Sequence, residues 1–139
     1  MNWIYEGVEF ENDGEYYGFI YLIENITSGK KYIGRKFLTK AGYKTVKKKR
    51  KKIRVESDWK DYYGSSLSLK KDIDELGIEN FKRTILKLCK SRGECNYQEA
   101  KMIFEADAVI DDNYYNSWVS AKVHRGHVLA LVFNSAENL

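Results

Sequence analysis

At 139 residues, with 43% of them hydrophobic and 14% aromatic, the chain can build one compact core but hardly two, and a single domain over residues 1–139 is expected. Lysine and arginine number 24 against 20 acidic residues, a net charge of +4, so any affinity for a polyanion must come from clustering of charge and not from its average. No apolar stretch reaches the roughly 20 residues of a membrane-spanning helix, no signal-peptide pattern is present, and Cys89 and Cys95 are too few for a disulfide framework. A helical membrane protein is thereby excluded, and a cytoplasmic location is expected.

In chain order, the first 15 residues mix aromatic and acidic side chains around Asn12-Asp13-Gly14, a turn signal, and predict a loose strand pair packed on the domain. Gly18 to Ile23 and Lys31 to Gly34 then read as two strands of a hairpin. Residues of equal parity share a face of a strand, and a turn centred on Ser28-Gly29 would set Tyr21 opposite Lys36 and Tyr32 opposite Asn25, all on one face. A basic insert follows from about Phe37 to Val55, with Lys47, Lys48, Lys49, Arg50, Lys51 and Lys52 in one run and Arg54 just beyond. It has poor helical periodicity. A turn at Lys40 to Tyr43 with the flanks paired as a projecting ribbon is the expected form, and a helix is the alternative.

Ser57 to Tyr63 begins like a capped helical turn, and Gly64-Ser65-Ser66 interrupts it. From Ser66 a helix is predicted, with Leu69, Ile73 and Leu76 as its buried stripe and Gly77 as its stop. Phe81 to Cys89 alternates as a third strand able to pair with the hairpin. A second helix is predicted from about Asn96 to Asp107. Asn96 and Glu99 have capping-box spacing, but Glu99, Ile103, Ala106 and Ile110 also fall on one apolar stripe. A carboxylate turned inward is costly unless it is paired or binds a cation, which makes Glu99 a candidate metal ligand. His124 and His127 have metal-compatible spacing without a partner cluster. The expected fold is α/β (α+β): a small three-stranded antiparallel sheet flanked by helices over one face, with a tail at 119–139 whose Val128 to Phe133 run reads as a strand or packing segment open to a homodimer contact.

Phe19-Ile20-Tyr21 and Tyr32-Ile33-Gly34 resemble the two triplets of the GIY-YIG nuclease family. Phe19 stands where the family has its leading glycine, and Gly18 lies one place earlier. Tyr62-Tyr63-Gly64-Ser65-Ser66, the helix ending at Gly77, and Ile78-Glu79-Asn80-Phe81 are similar to the middle of phage and mobile-element members. The resemblance covers about residues 17–116. It implies that Glu99 is the single metal-binding glutamate and that Asn116, in Tyr114-Tyr115-Asn116, closes the site. Where many members carry their catalytic arginine on a helix after the second triplet, this chain has Gly42 and no arginine. Arg35, Arg50 and Arg54 remain. Strand alternation turns Arg35 away from Tyr32 and Arg50 reads as a phosphate contact; Arg54 is favoured because it leads back toward the domain beside Trp59, similar to members of the small restriction-enzyme type that delay their arginine, with Lys36 sharing its role.

The chemistry so implied is hydrolysis of a DNA phosphodiester. Glu99 would anchor one Mg2+ or Mn2+ with several retained waters, Arg54 would hold a nonbridging oxygen, and Tyr21 and Tyr32 would position the attacking water. A tyrosine ionises near pH 10, so a general-base role requires a nearby cation such as Lys36 or the metal shell. The lysine run would grip double-stranded DNA through its phosphates. A noncatalytic DNA- or RNA-binding module retaining the same fold is the competing expectation.

Overall fold

The computed structural model describes residues 2–121 and 125–126. The expected strand at Val128 to Phe133, the dimer contact assigned to it, and the pair His124 and His127 lie outside the described residues. In chain order the elements are β1 (Ile4–Tyr5), β2 (Val8–Glu9), β3 (Gly18–Asn25), β4 (Lys31–Phe37), β5 (Thr39–Val46), β6 (Lys49–Glu56), α1 (Leu67–Leu76), β7 (Phe81–Cys89) and α2 (Arg92–Glu105).

The expected three antiparallel strands are present as β7-β3-β4, but the sheet has five, in the order β2-β1-β7-β3-β4. The added pair comes from the N-terminal segment. Trp3 is fully buried and its indole N–H donates to the Trp59 carbonyl at 2.6 Å, which docks β1 parallel to β7 with Ile4 opposite Thr84. The hairpin turns at Glu6-Gly7, both with positive φ, the backbone that a two-residue turn between strands requires. The Asn12 and Asp13 side chains instead accept local N–H groups from Gly14 and Glu15 in the following loop.

The helices cover opposite faces of the sheet, not one. Phe19, Tyr21 and Ile23 of β3 pack with Leu69 and Ile73 of α1, whereas Ile20 of β3 and Ile33 of β4 pack with Cys95 and Ile103 of α2. A bulge is the reason one strand can serve both. Between Ile20 and Tyr21 the pairing with β7 steps from Lys87 to Ile85, leaving Leu86 extra and reversing side-chain parity along β7. Phe81 and Ile85 therefore join the α1 side while Cys89 joins the α2 side, although unbroken alternation would put all three on one face.

Ser66 caps α1 by accepting the Leu69 N–H, and Gly77 ends it at φ 86°, as the sequence predicts. Leu76 is exposed, so only Leu69 and Ile73 carry the buried stripe. The second helix starts earlier than expected, at Arg92. Its cap is Ser91, which accepts the Glu94 N–H, while the Glu94 carboxylate accepts the Lys90 N–H. Glu99 thus stands about two turns inside the helix and does not serve its end. Ile110 lies beyond the helix and is exposed, so the apolar stripe stops short of it.

The basic insert forms a two-stranded ribbon, β5 with β6, separate from the main sheet. It turns at Lys47-Lys48 and not at Lys40 to Tyr43. Gly42 stays extended because a Cβ there would meet Val55 across the ribbon at 2.8 Å, and Lys47 and Lys48 both take positive φ, 49° and 63°. That backbone costs an ordinary L residue about 1 kcal/mol or more, and Asn-Gly is the sequence that suits it. Replacing Lys47-Lys48 with Asn-Gly should therefore slow amide exchange throughout the ribbon; unchanged exchange would show that the lysines bear no conformational cost there. At the neck, Ser57 donates through its N–H to Leu38 O and through its hydroxyl to Phe37 O, and Leu38 is buried.

Candidate active site

Strand β4 is the edge of the sheet, and its outer side is covered by residues 113–116. Lys31 N–H donates to Asn113 O and Tyr115 N–H to Lys31 O. Asn116 continues this ladder with its side chain, accepting from Ile33 N–H at 3.0 Å and donating to Ile33 O at 2.8 Å. The buried amide satisfies the backbone of the residue between Tyr32 and Gly34, where a continuing strand would otherwise be needed. Asn116→Ala leaves both Ile33 groups unpaired, and urea denaturation should register a loss of about 2–3 kcal/mol; a change under about 0.5 kcal/mol would mean that water replaces the amide without cost.

The β3–β4 register places Tyr21 opposite Gly34, Ile23 opposite Tyr32 and Phe19 opposite Lys36. This is two residues from the expected pairing, because the Asn25 side chain accepts the N–H groups of Thr27 and Ser28 and draws the turn one position earlier. A shift of two preserves parity, so Tyr21, Tyr32, Lys36 and Asn25 do share a face. Asn25 is taken up by structure, donating to the Tyr115 hydroxyl. The Tyr21 and Tyr32 rings lie 6.1 Å apart, and Tyr62 stands edge-on to Tyr21 at 5.9 Å. Gly34 is what allows this: a Cβ there would overlap the Tyr21 hydroxyl.

Arg83 of β7 sets the Tyr62 segment in place. Its guanidinium, between the Trp3 and Tyr63 rings, donates to the carbonyls of Lys60 and Tyr62. Gly64, at φ 88°, then turns the chain so that the Ser65 hydroxyl lies 3.1 Å from that of Tyr32. Tyr62 and Ser65 belong to the five-residue run noted in the sequence, but nothing in their spacing assigned them to the site.

Glu99 reaches the cleft from α2, on the opposite face of the sheet. Its partner is Arg35, whose Nη1 donates to Oε1 at 2.7 Å; their side chains are 14% and 36% exposed. Strand alternation does turn Arg35 away from Tyr32, as expected. The site nonetheless includes it, because the cleft wraps over the sheet edge at Gly34. Tyr21, Tyr32, Tyr62 and Ser65 line it on one side, and Arg35, Glu99 and Ile103 on the other, in a volume of about 800 Å3. Lys36 lies behind Tyr62, its Nζ 4.0 Å from the ring centroid and 2.6 Å from Asp58. Arg54, favoured as the catalytic arginine, does not line the cleft. It stands on β6 and bonds Thr39 and the Tyr17 hydroxyl. The run from Lys47 to Lys52 is solvent-exposed on the ribbon. A slightly larger groove, about 850 Å3, lies between the N-terminal hairpin and Trp59, but the carboxylates of Glu9, Glu11, Glu56 and Asp61 outnumber Lys60 and Arg83 on its lining and disfavour a phosphate. Chemistry, not size, selects the tyrosine cleft.

Burial drives the electrostatics of the site. It holds the Tyr21 phenol well above its ordinary ionisation range, with Tyr62 and Tyr32 adding to the effect. Tyr32 is raised by the same cause, against a lowering bond from Ser65. Both hydroxyls are therefore neutral at physiological pH, and Lys36 does not supply the cation that a phenolate would need. Burial also raises Glu99, while Arg35 pulls it back. No group of three or more His, Cys, Asp or Glu residues able to hold a metal occurs among the described residues. Glu99 is the one carboxylate among the described residues that line the cleft, and a lone carboxylate fits Mg2+, which keeps most of its waters and often binds one carboxylate plus phosphate oxygens.

Two strands that present paired tyrosines across an edge, a glycine between them and an acid arriving from the helix behind define the domain type. Residues 3–119 match the family model described as "Putative endonuclease segE, GIY-YIG domain", and the chain belongs to the GIY-YIG family. It is also 32% identical over 101 residues to "Putative endonuclease segE" of Enterobacteria phage T4, an alignment covering 72% of this chain and 40% of that relative. The chain thus spans well under half the length of the phage protein it matches. No solved structure matches it. No helix among the described residues is long and apolar enough to cross a membrane.

Proposed function

We propose that the protein is a metal-dependent endonuclease that hydrolyses phosphodiester bonds of double-stranded DNA. The observation that carries this reading is the convergence of Tyr21, Tyr32, Arg35 and Glu99 on one cleft, from two faces of the sheet, around Gly34. Glu99 would hold one Mg2+ or Mn2+ through its carboxylate. When bound, the ion neutralises charge developing on the phosphate and on the leaving 3′ oxygen.

The remaining work falls to the chain's own side chains. The neutral hydroxyls of Tyr21 and Tyr32 accept hydrogen bonds from the attacking water and fix its line of approach; held neutral by burial, they do not take its proton, which passes to solvent as the new P–O bond forms and the bond to the 3′ oxygen breaks, that oxygen taking a proton from solvent in turn. Arg35 supplies a planar fork for the nonbridging oxygens. In the free protein Nη1 of that fork donates to Glu99, so the same two side chains would hold a phosphate oxygen and the ion side by side. Lys36, paired with Asp58, backs the Tyr62 ring without touching the phosphate. Arg54 and the run Lys47, Lys48, Lys49, Arg50, Lys51 and Lys52 meet the DNA, with the lysines facing away from Tyr43 on backbone phosphates, contacts that position the duplex.

The direct test is supercoiled plasmid with the purified protein and Mg2+. Nicked or linear product is expected, and chelation should stop its formation. Tight binding of the plasmid with no cutting under any divalent ion would replace this reading with that of a noncatalytic DNA-binding module.

A further inference from the structure

Antiparallel pairing gives the ribbon two chemically different faces. Tyr43 pairs with Lys52, Thr45 with Arg50 and Ala41 with Arg54, so these six share one face; Lys44, Lys49 and Lys51 lie on the other with Val46, Ile53 and Val55. On the first face the Arg50 guanidinium lies over the Tyr43 ring at 3.8 Å. That face does not end at the neck. Arg54 lies 5.5 Å from the Tyr17 ring, Tyr17 packs edge-on to Phe37 at 5.2 Å, and Arg35 lies 5.6 Å from Phe37. Arg92, on the first turn of α2, approaches the same Phe37 ring at 5.0 Å. Arginines and aromatic rings thus recur from the ribbon to the Arg35–Glu99 pair in two contacting groups, Arg50 with Tyr43 and Arg54–Tyr17–Phe37–Arg35, with Lys52 and Ala41 between them on the same face. The groove that holds Glu9, Glu11, Glu56 and Asp61 shares no lining residue with this track.

We propose that this track is the DNA path: the duplex lies along Arg35, Phe37, Tyr17 and Arg54, and the ribbon enters its major groove with the Tyr43–Arg50 face toward the bases. The proposal rests on the endonuclease reading for where the path ends, but not for the binding itself. Each ribbon strand has eight residues, about 26 Å of reach. The major groove of B-DNA admits a two-stranded ribbon, whereas the deep, narrow major groove of duplex RNA does not. Guanidinium groups stacked on rings stay planar and free at their edges, the form in which arginine meets a guanine edge or a phosphate. Lysines on the other face meet phosphates as point charges.

Binding to a random-sequence duplex of about thirty base pairs, without divalent metal, separates this proposal from cleavage. Tyr43→Ala with Arg50→Ala should weaken binding about tenfold or more, and Lys49→Ala with Lys51→Ala only a few-fold, chiefly as a shallower salt dependence. Duplex RNA of the same length should compete poorly. An independent readout avoids any damage to the ribbon: an iron chelate tethered at Arg92→Cys should cut bound DNA, and one at Glu11→Cys should not. Equal losses from the two faces, equal competition by RNA, or cutting from position 11 in place of 92 would overturn the path. A protein that binds as described yet never cuts plasmid would leave the path standing and remove the nuclease.

Discussion

Glu99→Gln should leave plasmid supercoiled under conditions in which the parent nicks it, a loss of at least about a hundredfold in rate, the scale expected when a metal's only anchoring charge is removed. The substitution changes charge with almost no change of shape. Glutamine keeps an oxygen that can accept from Arg35, and the position stands well inside α2 beside Ile103, so the helix and its packing are retained. The thermal melt should therefore barely move. Titration with Mn2+ should show weakened ion binding in the variant, which separates loss of the metal from loss of the fold. If Glu99→Gln cuts as fast as the parent, the carboxylate has no part in the chemistry and the paired tyrosines must be explained by packing alone.

The second large effect is expected at an arginine. Arg35→Ala should lower turnover by about a hundredfold or more, since it removes a charge-assisted fork from a partly buried site. Arg35→Lys should recover part of that loss, because charge returns without the bidentate geometry. Arg54→Ala should weaken DNA binding a few-fold at moderate salt and leave turnover at saturating DNA nearly unchanged. The contrast follows from position: Arg35 is 2.7 Å from Glu99, whereas Arg54 is engaged with Thr39 and Tyr17 on the ribbon. The reverse ranking, with turnover lost at Arg54 and kept at Arg35, would mean that the ribbon folds back onto the cleft when DNA binds.

How much of this site was legible in the sequence depended on whether the governing pattern was local. Tyr21 and Tyr32 share a face because strand periodicity is two, and an error of two in register leaves faces intact. Glu99 could be found because a charge inside an apolar helical stripe is conspicuous. Arg35 was weighed as a candidate and set aside for a physical reason: alternation sends it to the far face, and no local pattern reveals that β4 is an edge strand over which a cleft can wrap, or that α2 lies behind it. The N-terminal strand pair was legible as a pair, but its place in the main sheet was not. Its pairing with β7 is parallel and distant in sequence, and it depends on a buried indole seated against a carbonyl of Trp59. The ribbon's turn escaped because it uses Lys-Lys, which no turn preference favours, while the glycine that suggested a turn makes room for Val55.

Both strands of the ribbon leave the globule through the single neck at Leu38 and Ser57, and neither core cluster includes a side chain from β5 or β6. Beyond that neck the ribbon touches the globule through Arg54 on Tyr17 and Glu56 on Trp59, none of which lines the tyrosine cleft. An appendage of different length or charge could therefore be grafted at that junction without altering a residue of the cleft.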